Sequence, residues 1–121
     1  MPARLRPSDP VVVAAAAERF RAGTPEDGDV RLLVKHLLAL LVDRAPGGAV
    51  EVRVPPYAAA QAIGGTTHKR GTPPAVVELD AQTWVQLGLG DLGWVDAERA
   101  GRLRASGERS DLSPLLPLLS L

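Results

Sequence analysis

The sequence predicts an α/β (α+β) fold in which helices cover a small, mostly antiparallel sheet of four or five strands. Val50, Val52 and Val54 alternate with charged residues, as in a strand with one solvated face. Residues 30–42 carry a broad apolar stripe at helical spacing, which is typical of a helix buried on most sides. Residues 75–106 have the pattern of a strand, a helix, a turn, a second helix and a second strand. Together these patterns indicate one sheet with helices packed against it.

The N-terminus is predicted to be a short flexible tail followed by a helix. Residues 1–8 contain two prolines and two arginines, so we expect a tail there and a single domain over residues 9–121. Asp9 and Pro10 are the residue types preferred at the N-cap and at the first position of a helix. Gly23 is a suitable stop for this first helix.

The second predicted helix is the longest. Asp27 or Asp29 is expected to cap it, and it should extend to about Arg44, before the break at residues 46–48, which are Pro, Gly and Gly. The width of its apolar stripe favours a central core helix over an amphipathic helix that lies on a membrane or a partner.

Four strands are predicted, and a fifth is left open. Turn residues flank all four, and Pro55 and Pro56 mark the end of the first strand or a sheet edge. The polar loop over residues 64–74 offers only weak strand-forming residues for a fifth strand. The expected strands are Val50 to Val54, Ala58 to Ile63, Ala75 to Leu79 and Arg102 to Ser106, with Val52 and Leu103 facing the helices.

Two short helices are predicted between the third and fourth strands. Asp80 is expected to cap the first of them, and Gly88 and Gly90 are expected to end it. The second begins at Trp94, and Gly101 stands where a left-handed residue commonly follows a helix.

A last short helix is predicted near the C-terminus. Ser110 or Asp111 would cap it, and Pro117 would end it, which leaves an apolar, leucine-rich tail.

Composition and residue types argue against most catalytic chemistry. The chain has no cysteine, so thiol chemistry is excluded. Its formal net charge is zero, so the sequence predicts no general electrostatic attraction to nucleic acid. His36, expected at the helix edge, and His68, in a loop, form no metal-binding pair, and no serine lies in a nucleophile elbow. Glu78 and Asp80 could share a proton, but a solvent-facing strand position and a helix cap explain them better. We therefore expect a non-enzymatic cytoplasmic protein with no cofactor, no metal and no transmembrane segment.

Several motifs follow one another in the second half of the chain: a strand before Asp80, Trp84 and Leu87 on the following helix, residues 90–92 (Gly-Asp-Leu), Ala97, and residues 101–107 (Gly-Arg-Leu-Arg-Ala-Ser-Gly). Through this run the sequence resembles the sterol carrier protein superfamily over roughly residues 49–119. Residues 50–57 and 68–74 look like the small bacterial, mainly actinobacterial, branch of that superfamily.

The resemblance implies a carrier of a fatty acyl or sterol-like apolar molecule in a cavity between sheet and helices. The alternative is an accessory or protein-interaction module without a lipid, similar to the C-terminal domain of mycothiol-dependent maleylpyruvate isomerase-like proteins. A protein partner or a homodimer is compatible with either interpretation. The basic loop His68, Lys69 and Arg70 is either a solvated loop or a contact for a headgroup or partner. The expected cavity walls are Trp84, Leu87, Trp94, Leu103, Leu112, Leu115 and Leu116.

Overall fold

A computed structural model describes residues 5–65 and 75–121, and those residues form an α+β fold. The fold class predicted from the sequence is therefore confirmed. In chain order the elements are α1 (Pro10–Arg21), α2 (Asp29–Arg44), β1 (Val50–Val54), β2 (Ala58–Ala62), β3 (Ala75–Leu79), α3 (Ala81–Leu89), α4 (Trp94–Arg99), β4 (Leu103–Ser106) and a short 3₁₀ helix (Ser113–Leu115).

The four described strands form one mixed sheet in the order β2-β1-β3-β4. The pairs β1–β2 and β3–β4 are antiparallel, as predicted for most of the sheet, whereas the central pair β1–β3 is parallel. Parallel neighbours need a crossover connection, and here the chain passes through β2 before it returns beside β1. Residues 66–74, where a fifth strand was left open, lie outside the described residues.

The sheet buries one face and exposes the other. Val52 and Val77 of the central strands are fully buried, and Leu103 of β4 is nearly so. The residues between them carry charges: Arg53, Glu78 and Arg104 are neighbours across β1, β3 and β4, and all three are exposed. The alternation read from the sequence therefore gives the correct inner face.

Helix α2 is the centre of the helical layer, in agreement with its wide apolar stripe. It packs against α1, α3 and β2, and eight of its 16 residues are buried. Gly88 lies inside α3 rather than ending it, and α3 ends at Gly90, which has a left-handed conformation. A Cβ atom on Gly88 would approach Cδ1 of the buried Leu37 to 2.6 Å, so this glycine permits the close packing of α3 on α2.

The helix caps are partly as predicted. Asp9 accepts a hydrogen bond from the Val11 amide, and Asp80 accepts one from the Thr83 amide at 2.8 Å. The predicted side-chain cap of α2 is wrong, because the N-cap is Gly28 at φ +87° and no side chain caps it.

Asp29 is the first residue of α2 and has a different role. Its carboxylate accepts hydrogen bonds from the Glu26 amide at 2.8 Å and from the Arg19 guanidinium at 2.7 and 2.9 Å. The carboxylate is thus used to fasten the α1–α2 connection rather than to cap the helix.

Candidate functional site

The last ten residues, which we call the C-terminal strap (residues 112–121), lie across the ends of α2 and α3. Their regular structure is limited to the 3₁₀ helix, where Asp111 accepts a hydrogen bond from the Ser113 amide. The expected short α-helix is thus a single 3₁₀ turn. Pro114 and Pro117 have no amide hydrogen, so the strap has few hydrogen bonds of its own.

Arg44, at the end of α2, holds the middle of the strap. Its guanidinium donates to the carbonyl oxygens of Leu115 and Pro117, both at 2.9 Å, and of Leu118 at 3.2 Å. A planar guanidinium can reach three carbonyl groups at once because its donors spread in a fixed fork. The basic residue at a helix C-terminus thus serves a tertiary contact as well as the helix dipole.

Two further groups fix the strap to the helices. The Gly88 carbonyl oxygen accepts from the amides of Leu118 at 2.9 Å and Leu119 at 3.1 Å. The Arg21 guanidinium of α1 donates to the Leu121 carbonyl oxygen at 2.9 Å. The strap is therefore attached at three places, each through a hydrogen bond to or from its backbone.

The apolar side chains of the strap face the core. Leu112 is fully buried and Leu118 is 3% exposed, and both belong to the hydrophobic core cluster formed by the described residues. Leu115, Leu116 and Leu119 are half-buried and pack against that cluster. The strap therefore combines strong apolar burial with a backbone that is held by tertiary hydrogen bonds rather than by a long helix or a strand.

The seven predicted cavity residues lie together in or on this cluster. Trp84 is fully buried, and its indole Nε1 donates to the Val34 carbonyl oxygen at 3.2 Å. Leu87 is equally buried, whereas Trp94 and Leu103 are each 7% exposed. Leu103 also lines a cavity of about 290 Å³ at the ends of β3 and β4. The other members of the predicted set are the strap residues Leu112, Leu115 and Leu116, described above.

A larger cavity of about 510 Å³ lies between α1, the α1–α2 loop and α3, and we call it the α1–α3 groove. No pattern in the sequence predicted this groove. Its residues come from distant parts of the chain, and the one local signal was an aromatic residue near the end of α1. The lining residues are Phe20, Arg21, Gly23, Pro25, Val30, Gln82, Gln86 and Asp91.

Two ion pairs fix α1 at this groove. Arg21 pairs with Asp91 through two hydrogen bonds of 2.7 and 3.0 Å, and Arg19 pairs with Asp29 in the same bidentate way. The hydrogen bonds from Arg19, followed by one from the Glu26 amide, lower the pKa of Asp29 to about 2. The Asp29 carboxylate is thus held ionised by its paired guanidinium.

His36 is buried rather than at the helix edge. It is 5% exposed, and its Nδ1 accepts a hydrogen bond from the Ser8 amide at 2.9 Å. Burial lowers its pKa, because the charged imidazolium loses hydration. Since Nδ1 must be unprotonated to accept, the neutral ring joins residue 8 to the core, where Leu5 also packs.

The remaining predicted features are placed as follows. His68, Lys69 and Arg70 lie outside the described residues. Within residues 5–65 and 75–121, no group of three or more histidine, aspartate or glutamate side chains is arranged to hold a metal ion. No helix in these two ranges is long and apolar enough to cross a membrane.

Comparison with known proteins identifies the family. No curated protein shows a significant match to the chain. The family model described as bacterial SCP ortholog matches residues 26–118, about three quarters of the sequence, and the matched segment begins after α1. This range contains all four described strands, α2 to α4 and most of the strap, so the chain belongs to this bacterial family of sterol-carrier-like proteins.

Proposed function

We propose that this protein is a non-enzymatic carrier that binds a fatty acyl or sterol-like molecule between its sheet and its helices. The proposed walls are the seven residues predicted from the sequence: Trp84, Leu87, Trp94, Leu103, Leu112, Leu115 and Leu116. Membership of a sterol-carrier-like family supports the ligand class. The observation that carries the proposal is the strap, an apolar cover over the core whose polar attachments, in the described part of the chain, come from Arg21, Arg44 and Gly88.

A carrier needs a cover that can open, because its ligand must enter and leave. Segments with little regular structure and few backbone hydrogen bonds open more readily than core strands or helices. When the strap lifts, Leu115 and Leu116 leave the core surface, and an acyl chain can take their place. Each buried CH₂ group contributes about 0.8 kcal/mol, so a fatty acyl chain gains enough apolar burial to offset the displaced leucines.

This mechanism does not require a cluster of polar side chains around the ligand. A mainly apolar site suits an apolar ligand, and a polar lining would add a cost of desolvation. A cytoplasmic location, where apolar metabolites need a protein host, belongs to the same proposal.

A fluorescent fatty acid provides the direct test. The intact chain should bind it with micromolar affinity, and a chain truncated after Leu112 should bind it more weakly while it remains folded by circular dichroism. Replacing Arg44 with Met, which keeps the side-chain length but removes the donors, should speed release of the probe by about tenfold or more.

The matched control is Arg104→Met, on the exposed face of the sheet. It should leave probe release unchanged. If the intact chain binds no fatty acid and truncation unfolds it, the leucines merely complete the core and the carrier proposal is wrong. Native mass spectrometry of protein purified from its own host would then show no co-purifying lipid, as expected for an interaction module.

A further inference from the structure

The α1–α3 groove exists because of a helix that precedes the segment matched by the family model. Helix α1 ends at Arg21, and the match begins at residue 26. The pairs of Arg19 with Asp29 and of Arg21 with Asp91 fix the end of α1 beside α3. The groove is therefore lined in part by residues that precede the matched segment, and none of its lining residues belongs to the strap.

The groove has the size and the lining of a small-molecule site. Its volume of about 510 Å³ falls within the range of roughly 300–1,000 Å³ that is common for such sites. Phe20 and Val30 are half-buried, pack against the core and supply apolar surface. Gln82 and Gln86 of α3 bring amide groups to the same cavity. An apolar surface with a few polar groups selects a ligand with an apolar body and one polar end.

Hydrogen bonding orients the Gln86 amide. Its Oε1 accepts from the Arg102 guanidinium at 2.6 Å, so the acceptor end of the amide is occupied. The Nε2 group carries two hydrogen-bond donors, and these can donate to a ligand in the groove. The donors therefore require an acceptor on the ligand, such as a carboxylate or a carbonyl oxygen.

The charges around Gln86 favour a carboxylate. Within the described ranges, no carboxylate lies within 4.0 Å of the Arg102 nitrogens. The positive charge of Arg102 is therefore not offset by an ion pair there, and its guanidinium donates to the Gln86 amide beside the groove. A cation that donates to the amide oxygen polarises the amide and strengthens its N–H donors. Among the described residues that line the groove, the one acid is Asp91, and its charge is offset by the bidentate pair with Arg21. An anionic group at Gln86 thus meets a donor and a nearby cation.

We propose that the α1–α3 groove binds a small monocarboxylate with an apolar body. The body lies on Phe20 and Val30, and the carboxylate accepts hydrogen bonds from Gln86 Nε2 close to Arg102. This site does not depend on the proposed carrier function, because its residues and those of the strap-covered core are different.

Titration with decanoate, followed by heteronuclear NMR, tests the proposal. Amide shifts should map to Phe20, Val30, Gln82 and Gln86. Decan-1-ol, which lacks the charge, should bind at least about tenfold more weakly, since hydrogen bonds to charged groups are the stronger ones. Shifts confined to the strap, or equal binding of acid and alcohol, would overturn the proposal.

Variants separate the amide from the volume of the groove. Gln86→Leu removes the donors at nearly constant size and should weaken decanoate binding about tenfold or more, with a much smaller effect on decan-1-ol. Gln82→Trp occupies the groove from an exposed position of α3 and should weaken both ligands. The control is Gln61→Leu, an exposed glutamine of β2, which should change neither.

Equal decanoate affinity in Gln86→Leu and Gln61→Leu would refute the role of the amide. If Gln86→Leu does not fold, Gln82→Trp decides, because unchanged binding there excludes the groove. Arg44→Met separates this proposal from the carrier proposal. It should alter release of the long-chain probe from the core but not the decanoate affinity of the groove.

Discussion

Replacing Arg44 with Met should loosen the C-terminal strap without unfolding the protein. The guanidinium makes three hydrogen bonds to the strap, at 2.9, 2.9 and 3.2 Å. Arg44 is exposed, so each bond is expected to contribute at the lower end of the usual range, about 0.5–1 kcal/mol. Their loss should therefore lower the free energy of strap opening by about 1.5–3 kcal/mol.

Amide hydrogen exchange measures this opening locally. The reporters are the amides of Leu118 and Leu119, which donate to the Gly88 carbonyl oxygen in the closed strap. A factor of ten in an equilibrium corresponds to about 1.4 kcal/mol, so both amides should exchange roughly 10- to 100-fold faster in the variant. The amide of Val52 in the central strand β1 should still exchange far more slowly than both, because its exchange requires a much larger opening of the fold.

Two outcomes would contradict this reasoning. Unchanged exchange at Leu118 and Leu119 would mean that the leucine side chains alone hold the strap. Exchange of the Val52 amide as fast as that of Leu118 and Leu119 would mean that the strap opens only when the whole fold unfolds. Arg104→Met removes an exposed arginine from the open face of the sheet and serves as the control, with no expected effect at any of these amides.

Two further predictions concern pH. Stability should decline as the pH falls from about 4 through about 2, because Asp29 has a folded-state pKa of about 2 against an ordinary value of 3.8; thermal unfolding of Asp29→Asn should lack this component. Acidification below the ordinary His36 pKa of 6.5 should also destabilise the fold, since burial lowers that pKa and protonation breaks the bond from the Ser8 amide. His36→Gln, which retains an acceptor, should show a flatter melting temperature in that range, and an unchanged pH profile would contradict the assignment.

Local signals in the sequence determined the elements and the inner face of the sheet. Asp9 and Asp80 cap helices as predicted because capping depends on neighbouring amides, two or three residues away. Gly101 takes the left-handed conformation expected after α4. The alternation around Val52 identified the buried side of β1, since successive strand residues point to opposite faces.

The docking of the strap could be predicted only in part from local signals in the sequence. Leucines near the end of the chain predicted that this segment must dock, and the burial of Leu112 and Leu118 agrees with that. The contact with Arg44 could not be predicted, because it joins residues more than 70 positions apart. A basic residue near a helix C-terminus is also explained by the helix dipole alone.

Tertiary structure alone decided the remaining features, and they share one physical reason. Three features depend on contacts between segments that are distant in sequence: the parallel β1–β3 pair, the buried His36 and the α1–α3 groove. Hydrophobic periodicity indicates only which face of a segment is apolar, and not which other segment packs against that face. Gly88 illustrates the difference. As a local signal it predicted the end of a helix, but in the folded chain it lies within α3, where the absence of a Cβ atom allows the helix to pack closely on Leu37 of α2.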